Sequence, residues 1–434
     1  MQTNPVQKVL DLCLKAGASD ARVIYTNSEQ TAVTLFNRDV DKFVSANDCS
    51  VFLQLFVEGR YGTFSTNMLD DSSLRDFIAN AVKLTRLLEK DECRHLAPTQ
   101  LCYKGNGDLK IMDPQAETIT AAQGKAIVMQ MADALCGRID GGPFQSCETE
   151  YGAVTEHEVL ADTSGFYQAR DSSCYTVSAE CSFLDKDGSR PQSWWVDGQV
   201  FFSKLDAAKC ADTAYRRGVE SLGARRIDAG TYNVIVENSS ASKFVSPLLG
   251  ALSGAALQQN NSFLQDSLGK KLFPSSLTII DNPHKESVLG ARFYDGEGLA
   301  TERCRIIDEG TVSKYFLNTY YADKLGMAPT VDAASVVEMA SDSGDLASQM
   351  VAAGRGVLIT GFNGGNYNSL TGDFSYGITG FWFEDGHKQF PLHEMNITGN
   401  YLDLWNRLAA VGNDPLTIFS MQIPTLSFGG LAIA

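Results

Sequence analysis

The sequence predicts an α+β fold of two domains, each with mainly antiparallel sheet and flanking helices, the C-terminal one strand-rich. Three observations carry this. A chain of 434 residues is too long for one small core and suggests about two domains. From Phe144 to Phe202 strand follows strand, with Tyr175, Val177, Ala179, Cys181 and Phe183 alternating against Thr176, Ser178, Glu180 and Ser182, the pattern of a sheet with one buried and one wet face. After one helix-like stretch, the second half is mostly short apolar runs between glycine-marked turns.

The elements follow in order. Asn4 can cap a first helix with Pro5 at its first position; Val6, Val9, Leu10 and Cys13 share one face, and Gly17 ends it. Thr31, Val33 and Leu35, then Val51, Leu53, Leu55 and Val57, share sides of two strands, the second closed by Glu58-Gly59-Arg60. Ser73 with Asp76 reads as a capping box, followed by the face Leu74, Phe77, Ile78 and Ala81. Asp113-Pro114 repeats the cap-plus-proline signal before a third helix ending near Cys136-Gly137. Asp185-Lys186-Asp187-Gly188 and Asp197-Gly198 supply turns. A helix spans Asp206 to Leu222 and stops at Gly223. The glycine-flanked, charged segment 223–230 has no period and reads as a linker between domains 1–222 and 231–434. The second domain opens with the strand Tyr232–Val236.

Composition narrows function. A formal net charge of −16 argues against a broad nucleic-acid surface, which needs clustered Lys and Arg. No window reaches the apolar length of a membrane span. The start Met1-Gln2-Thr3-Asn4-Pro5 shows no basic region followed by an apolar one, so the expectation is a cytoplasmic protein. Ten scattered cysteines without a Cys-x-x-Cys pair fit reduced thiols and offer no zinc-ligand spacing.

Catalytic signals are sparse. The five histidines, His95, His157, His284, His387 and His393, include no two that lie three to five apart, the spacing at which helical side chains converge on one ion. There is no Gly-x-Ser-x-Gly elbow and no phosphate loop. Asp295-Gly296-Glu297-Gly298 lacks the ligand spacing of a calcium loop and reads as a glycine-supported turn. The stretch from Ser246 to Leu257 reads as a helix capped by Ser246, with Pro247 in its first turn. Gly250 and Gly254 lie four apart, with Ala251 and Ala255 beside them. A helical glycine costs about 1 kcal/mol relative to alanine, so something comes close there: a neighbouring helix or strand, or a peptide or partner subunit.

Ser246–Leu257, Phe263–Lys270, Phe293–Gly298 with Arg303 and Ile307–Gly310, Thr371–Gly377 with Gly380–Gly386, and Val411–Asp414, in this order, together resemble the TldD/PmbA family, known as modulators of DNA gyrase. In the active branch the helix reads His-Glu-x-x-x-His; the corresponding positions here are Gly250, Ala251 and Ala255. That branch also uses a late cysteine, and this chain has none after Cys304. The chain therefore resembles the PmbA or TldE branch, which keeps the scaffold without the zinc motif.

The resemblance implies a non-catalytic subunit of a heterodimeric zinc metallopeptidase acting on flexible or unfolded peptides of the bacteriocin-precursor or antitoxin type. It implies a TldD-type partner subunit, with a homodimer as the isolated form, no zinc or other cofactor on this chain, and no catalytic residue. Peptide is expected to add as a strand on exposed sheet edges. The candidate peptide- or partner-facing residues are Gly254, Asp295, Glu297, Thr371, Asp373 and Tyr376. The competing readings are a peptidase active alone through another site and a homodimeric peptide-binding scaffold.

Overall fold

The structure, a computed structural model, describes residues 5–341 and 344–434. Asn4, expected as a cap, lies outside them. Helix α1 (Val6–Ala16) buries Val6, Val9, Leu10 and Cys13, as the spacing predicts, and Gly17 closes it at φ 98°, in the left-handed region that favours glycine. Pro5 stands just before the first helical residue rather than at it. Then come β1 (Asp20–Phe36), β2 (Asp39–Val57), β3 (Arg60–Thr66), α2 (Asp71–Thr85), α3 (Ala121–Cys136), β4 (Phe144–Asp162), β5 (Tyr167–Phe183), β6 (Gln192–Gln199) and α4 (Ala207–Glu220).

The strands form one antiparallel sheet in the order β3-β2-β1-β4-β5-β6. Val23, Tyr25, Val33 and Leu35 are buried on one side of β1, since side chains alternate along a strand. α1 and α2 pack on one end of that face and α3 and α4 on the other, forming two apolar clusters. The opposite face carries Arg22, Gln54 and Asp162, which stand side by side in register.

Three local expectations change. Helix α2 is capped by Asp70, whose carboxylate accepts from the N–H groups of Ser72 and Ser73; Ser73 is already inside the helix. The capping box of α3 is Thr120 with Gln123, while Asp113 is buried and accepts from the backbone of Gln115 and Phe202. Asp197-Gly198 is no turn: both residues pair with Val177 and Thr176 inside β6.

The second half runs β7 (Gly230–Val236), α5 (Asn238–Ala251), α6 (Gly254–Gln258), β8 (Ile279–Asp281), β9 (Cys304–Asp308), β10 (Thr311–Val312), α7 (Thr319–Leu325), β11 (Val337–Met339), α8 (Leu346–Ala353), β12 (Arg355–Tyr367), β13 (Asp373–Glu384), β14 (His387–Asn400), α9 (Tyr401–Asn406), β15 (Leu408–Val411), β16 (Met421–Gln422) and β17 (Leu426–Ile433). A small sheet runs β10-β9-β8-β11-β16, and a larger one β14-β13-β12-β7-β17-β15. Among the described residues of the larger sheet, only β12 and β7 pair in parallel. β14 also pairs with β17, Ile397 opposite Ile433, so the sheet curls back on itself. α5 packs against it: the Phe244 ring lies 5.4–6.4 Å from those of Phe362, Phe374, Tyr401 and Phe428.

The two halves touch. Between α2 and α3 the chain crosses to the second core, where Ala97 and Cys102 are buried and Tyr103 stacks on Phe293 at 5.0 Å. No helix among the described residues is long and apolar enough to cross a membrane.

Candidate functional site

Strand β7 is wholly buried at Val234, Ile235 and Val236 and delivers the chain into α5. The helix starts eight residues before the expected Ser246. Ser246 does not cap; its hydroxyl donates to the Ser242 carbonyl at 2.9 Å, and Pro247 lies inside the helix. The expected continuous helix is also broken, at Leu252–Ser253. Ser253 sits at the break: its hydroxyl donates to the Gly250 carbonyl at 2.7 Å and accepts from the Ala256 N–H at 3.3 Å, so it ends one helix and caps the next. A distant segment fixes the kink, through Gly254 N–H to the Phe316 carbonyl at 2.8 Å.

The register of interest is therefore split. Gly250 and Ala251 lie in the last turn of α5 and Ala255 in α6. Gly250 is exposed, and a Cβ there would meet only the Tyr367 hydroxyl, at 3.6 Å. Ala251 is buried, and its carbonyl accepts from Ser262. Gly254 is buried under Tyr321, whose Cβ would lie 2.5 Å from an added Cβ. Within the chain, a close approach is made at Gly254 and not at Gly250.

Along the exposed side of α5 runs a groove of about 700 Å³. One wall is Ser239, Ser240, Ser242, Lys243, Ser246 and Pro247; the other is Phe362, Gly365, Asn366 and Tyr367 of β12, with Tyr376 of β13. Gly364 and Gly365, at φ 70° and 88°, make a bulge that shifts the β12–β13 register. A Cβ on Gly365 would strike the Ser375 carbonyl oxygen at 2.2 Å, so the bulge requires glycine. The Lys243 ammonium sits 4.6 Å from the centre of the Tyr376 ring, a cation–π contact. Tyr376 is buried and shares a 2.9 Å hydrogen bond with Tyr401; burial pushes its hydroxyl pKa up. The seryl face at i, i+3 and i+7 (Ser239, Ser242, Ser246) is a signal the sequence reading passed over.

The other expected residues fall into two places. Thr371 and Asp373 are exposed at the β12–β13 turn, bonded to each other at 2.7 Å. Asn400, which was not anticipated, donates to both, at 2.8 and 2.9 Å. Its bond and that of Thr371 hold the Asp373 carboxyl below the usual range. Asp295 is buried, its carboxylate closing a turn by accepting from the N–H groups of Glu297, Leu299 and Asp332. Burial, and then the charge of Asp332, push its pKa up to about 7. Glu297 accepts from the Thr319 N–H at 2.7 Å and from its hydroxyl at 2.8 Å, and lies 3.6 Å from the buried Arg22. Since Thr319 begins α7 and Tyr321 covers Gly254, Glu297 ties the first sheet to the α5–α6 kink.

Gly250, Ala251 and Ala255 carry no donor side chain. Among the described residues no three His, Cys, Asp or Glu side chains gather as a metal site. His95 and His157 pair with Asp323 and Asp171, and His284 contacts Thr301. The residues present do not fit a metal at this register.

Fold and site together define a metallopeptidase-type scaffold: residues 229–434 match the PmbA/TldA metallopeptidase C-terminal domain and residues 21–85 match domain 1 of the same family. The chain belongs to the PmbA/TldD family. It is 31% identical to the metalloprotease PmbA homolog of Buchnera aphidicola subsp. Acyrthosiphon pisum, over 95% of this chain and 92% of that one. It is 28% identical to the metalloprotease PmbA of Escherichia coli O157:H7, over 97% and 94%. A crystal structure from Bacteroides thetaiotaomicron, bearing a DNA gyrase modulator name, superposes with a TM-score of 0.96 at 36% identity over the whole of both chains. TldE from Thermococcus kodakarensis superposes at 0.87 with 16% identity over 99% of this chain and all of that one, a likeness of fold alone.

Proposed function

We propose that this chain is the non-catalytic subunit of a heterodimeric zinc metallopeptidase that processes or degrades flexible peptides. A TldD-type subunit supplies the zinc; this chain completes the chamber and holds the peptide as an added strand. One combination supports the reading: the chain keeps the family scaffold, and by its resemblance Gly250, Ala251 and Ala255 correspond to the His, Glu and His of the active branch. Bacteriocin precursors and antitoxins are the peptide class this implies, in the cytoplasm. Residues 1–222 and 231–434 act as its two domains, joined by 223–230.

Co-expression with a family member from the same genome that carries His-Glu-x-x-x-His tests this. A complex should co-purify and cleave an unfolded peptide in a chelator-sensitive way, and neither chain alone should do so. Stoichiometric zinc held by side chains of this chain, or failure of the two to associate, would refute it.

A further inference from the structure

The groove along α5 differs from the rest of this acidic chain in its charge. Among the described residues its lining contains one cation, Lys243, and no carboxylate. The acid at the head of the helix, Glu237, is already engaged by Arg217 at 2.8 Å and by the Ser239 hydroxyl. Lys243 instead has its ammonium over the Tyr376 ring, which lines the same groove. That contact fixes the stem and leaves ammonium protons free for an incoming acceptor. Ser242, Asn366 and Tyr367 line the same groove and bring a hydroxyl, an amide and a phenol to it. Pro247, Phe362 and the Tyr376 ring supply apolar surface beneath.

One positive charge with neutral donors matches a monoanion. A phosphate group carries up to two charges and binds best to forked or clustered cations. A polyanion would in addition meet the net charge of −16.

We propose that this groove binds a carboxylate of an unfolded peptide, either its C-terminus or an acidic side chain, with Lys243 as the charged contact and Ser242 and Asn366 as hydrogen-bond donors. The inference rests on the peptide-handling role proposed above and adds a substrate feature to it. Lys243 and Gly250 are seven residues apart on one helix, about 10 Å along the axis. A peptide anchored at Lys243 therefore needs about three extended residues to reach Gly250.

The test uses the full chain alone, with fluorescently labelled, otherwise uncharged, unfolded peptides read by anisotropy. Three forms are compared: free C-terminus, C-terminal amide, and C-terminal amide with one internal Glu. At least one carboxylate form should bind about tenfold more tightly than the plain amide, the size of a hydrogen-bonded charge contact. Which form binds identifies the source of the carboxylate. Lys243→Gln should erase the difference and Lys243→Arg should restore most of it. Equal binding of acid and amide, no binding of any form, or an unchanged preference in Lys243→Gln would overturn the proposal. Co-purification of the unsubstituted chain with the partner subunit is a separate measurement, so failure of the heterodimer reading is distinguished from failure of this one.

Discussion

Gly250→Ala and Gly254→Ala should move stability in opposite directions, although the two glycines look equivalent in sequence. At Gly254 an added Cβ would lie 2.5 Å from Tyr321 Cβ and 2.8 Å from its Cγ, against an optimal carbon–carbon separation of about 3.5–4.0 Å. Tyr321 cannot relieve this by changing rotamer, because its Cβ moves only with the backbone of α7. That helix is held by Glu297 at Thr319, and Gly254 is held by its bond to Phe316. Overpacking of this kind costs about 1–3 kcal/mol. At Gly250 the nearest atom, the Tyr367 hydroxyl oxygen, stands at 3.6 Å, ordinary contact. There alanine should gain up to about 1 kcal/mol from helix propensity. The two variants should therefore differ by about 1–4 kcal/mol, with wild type between them. Urea denaturation followed by tryptophan fluorescence measures this, since Trp405 is fully buried in the second core. A Gly250→Ala variant less stable than Gly254→Ala would refute the split-helix geometry.

Further predictions follow from the buried charges and the caps. The Asp295 pKa is raised in the fold to about 7 from an ordinary value near 4. Its contribution to stability is therefore fully present below about pH 4 and is lost as pH rises to about 7. Asp295→Asn should remove a stability change of a few kcal/mol across this window, and an unchanged pH dependence in unfolding experiments would contradict it. Glu297→Gln removes the charge facing the nearly inaccessible Arg22 and should cost about 3 kcal/mol. Adding Arg22→Met should recover part of this; a double variant less stable than the sum of the singles would count against the pairing. Thr120→Ala should cost about 1 kcal/mol by loss of the α3 capping box, whereas Ser73→Ala, inside α2, should cost less than Asp70→Ala by the same measurement.

What was legible in the sequence was periodicity; what was not was anything decided by a segment far along the chain. Val6 to Cys13, Leu53 to Val57 and Tyr175 to Phe183 bury the sides their spacing predicts, because a one-residue slip would turn an apolar face to water. Caps proved harder for a local reason. Asp70, Asp71, Ser72 and Ser73 are all competent acceptors in a row, and the helix begins after the one whose carboxylate reaches two free N–H groups. The kink at Ser253 could not be read locally at all. Leu248–Leu257 is compatible with one helix; Ser253 can cap its second piece, but the bonds that pin the broken form, Gly254 N–H to the Phe316 carbonyl and Phe316 N–H to the Leu252 carbonyl, come from about sixty residues on. The groove shows both cases at once. Its seryl wall had a helical spacing that was there to be seen, but placing the helix start at Ser246 hid it. Its facing wall depends on the Gly364-Gly365 bulge pairing with β13, a contact between segments that local periodicity does not encode. The small-residue register of Gly250, Ala251 and Ala255 and the groove thus come from different information: the first from three residue identities in one segment, the second from long-range strand pairing. A substitution series at Lys243 and one at Gly250 accordingly test separate properties of the same helix.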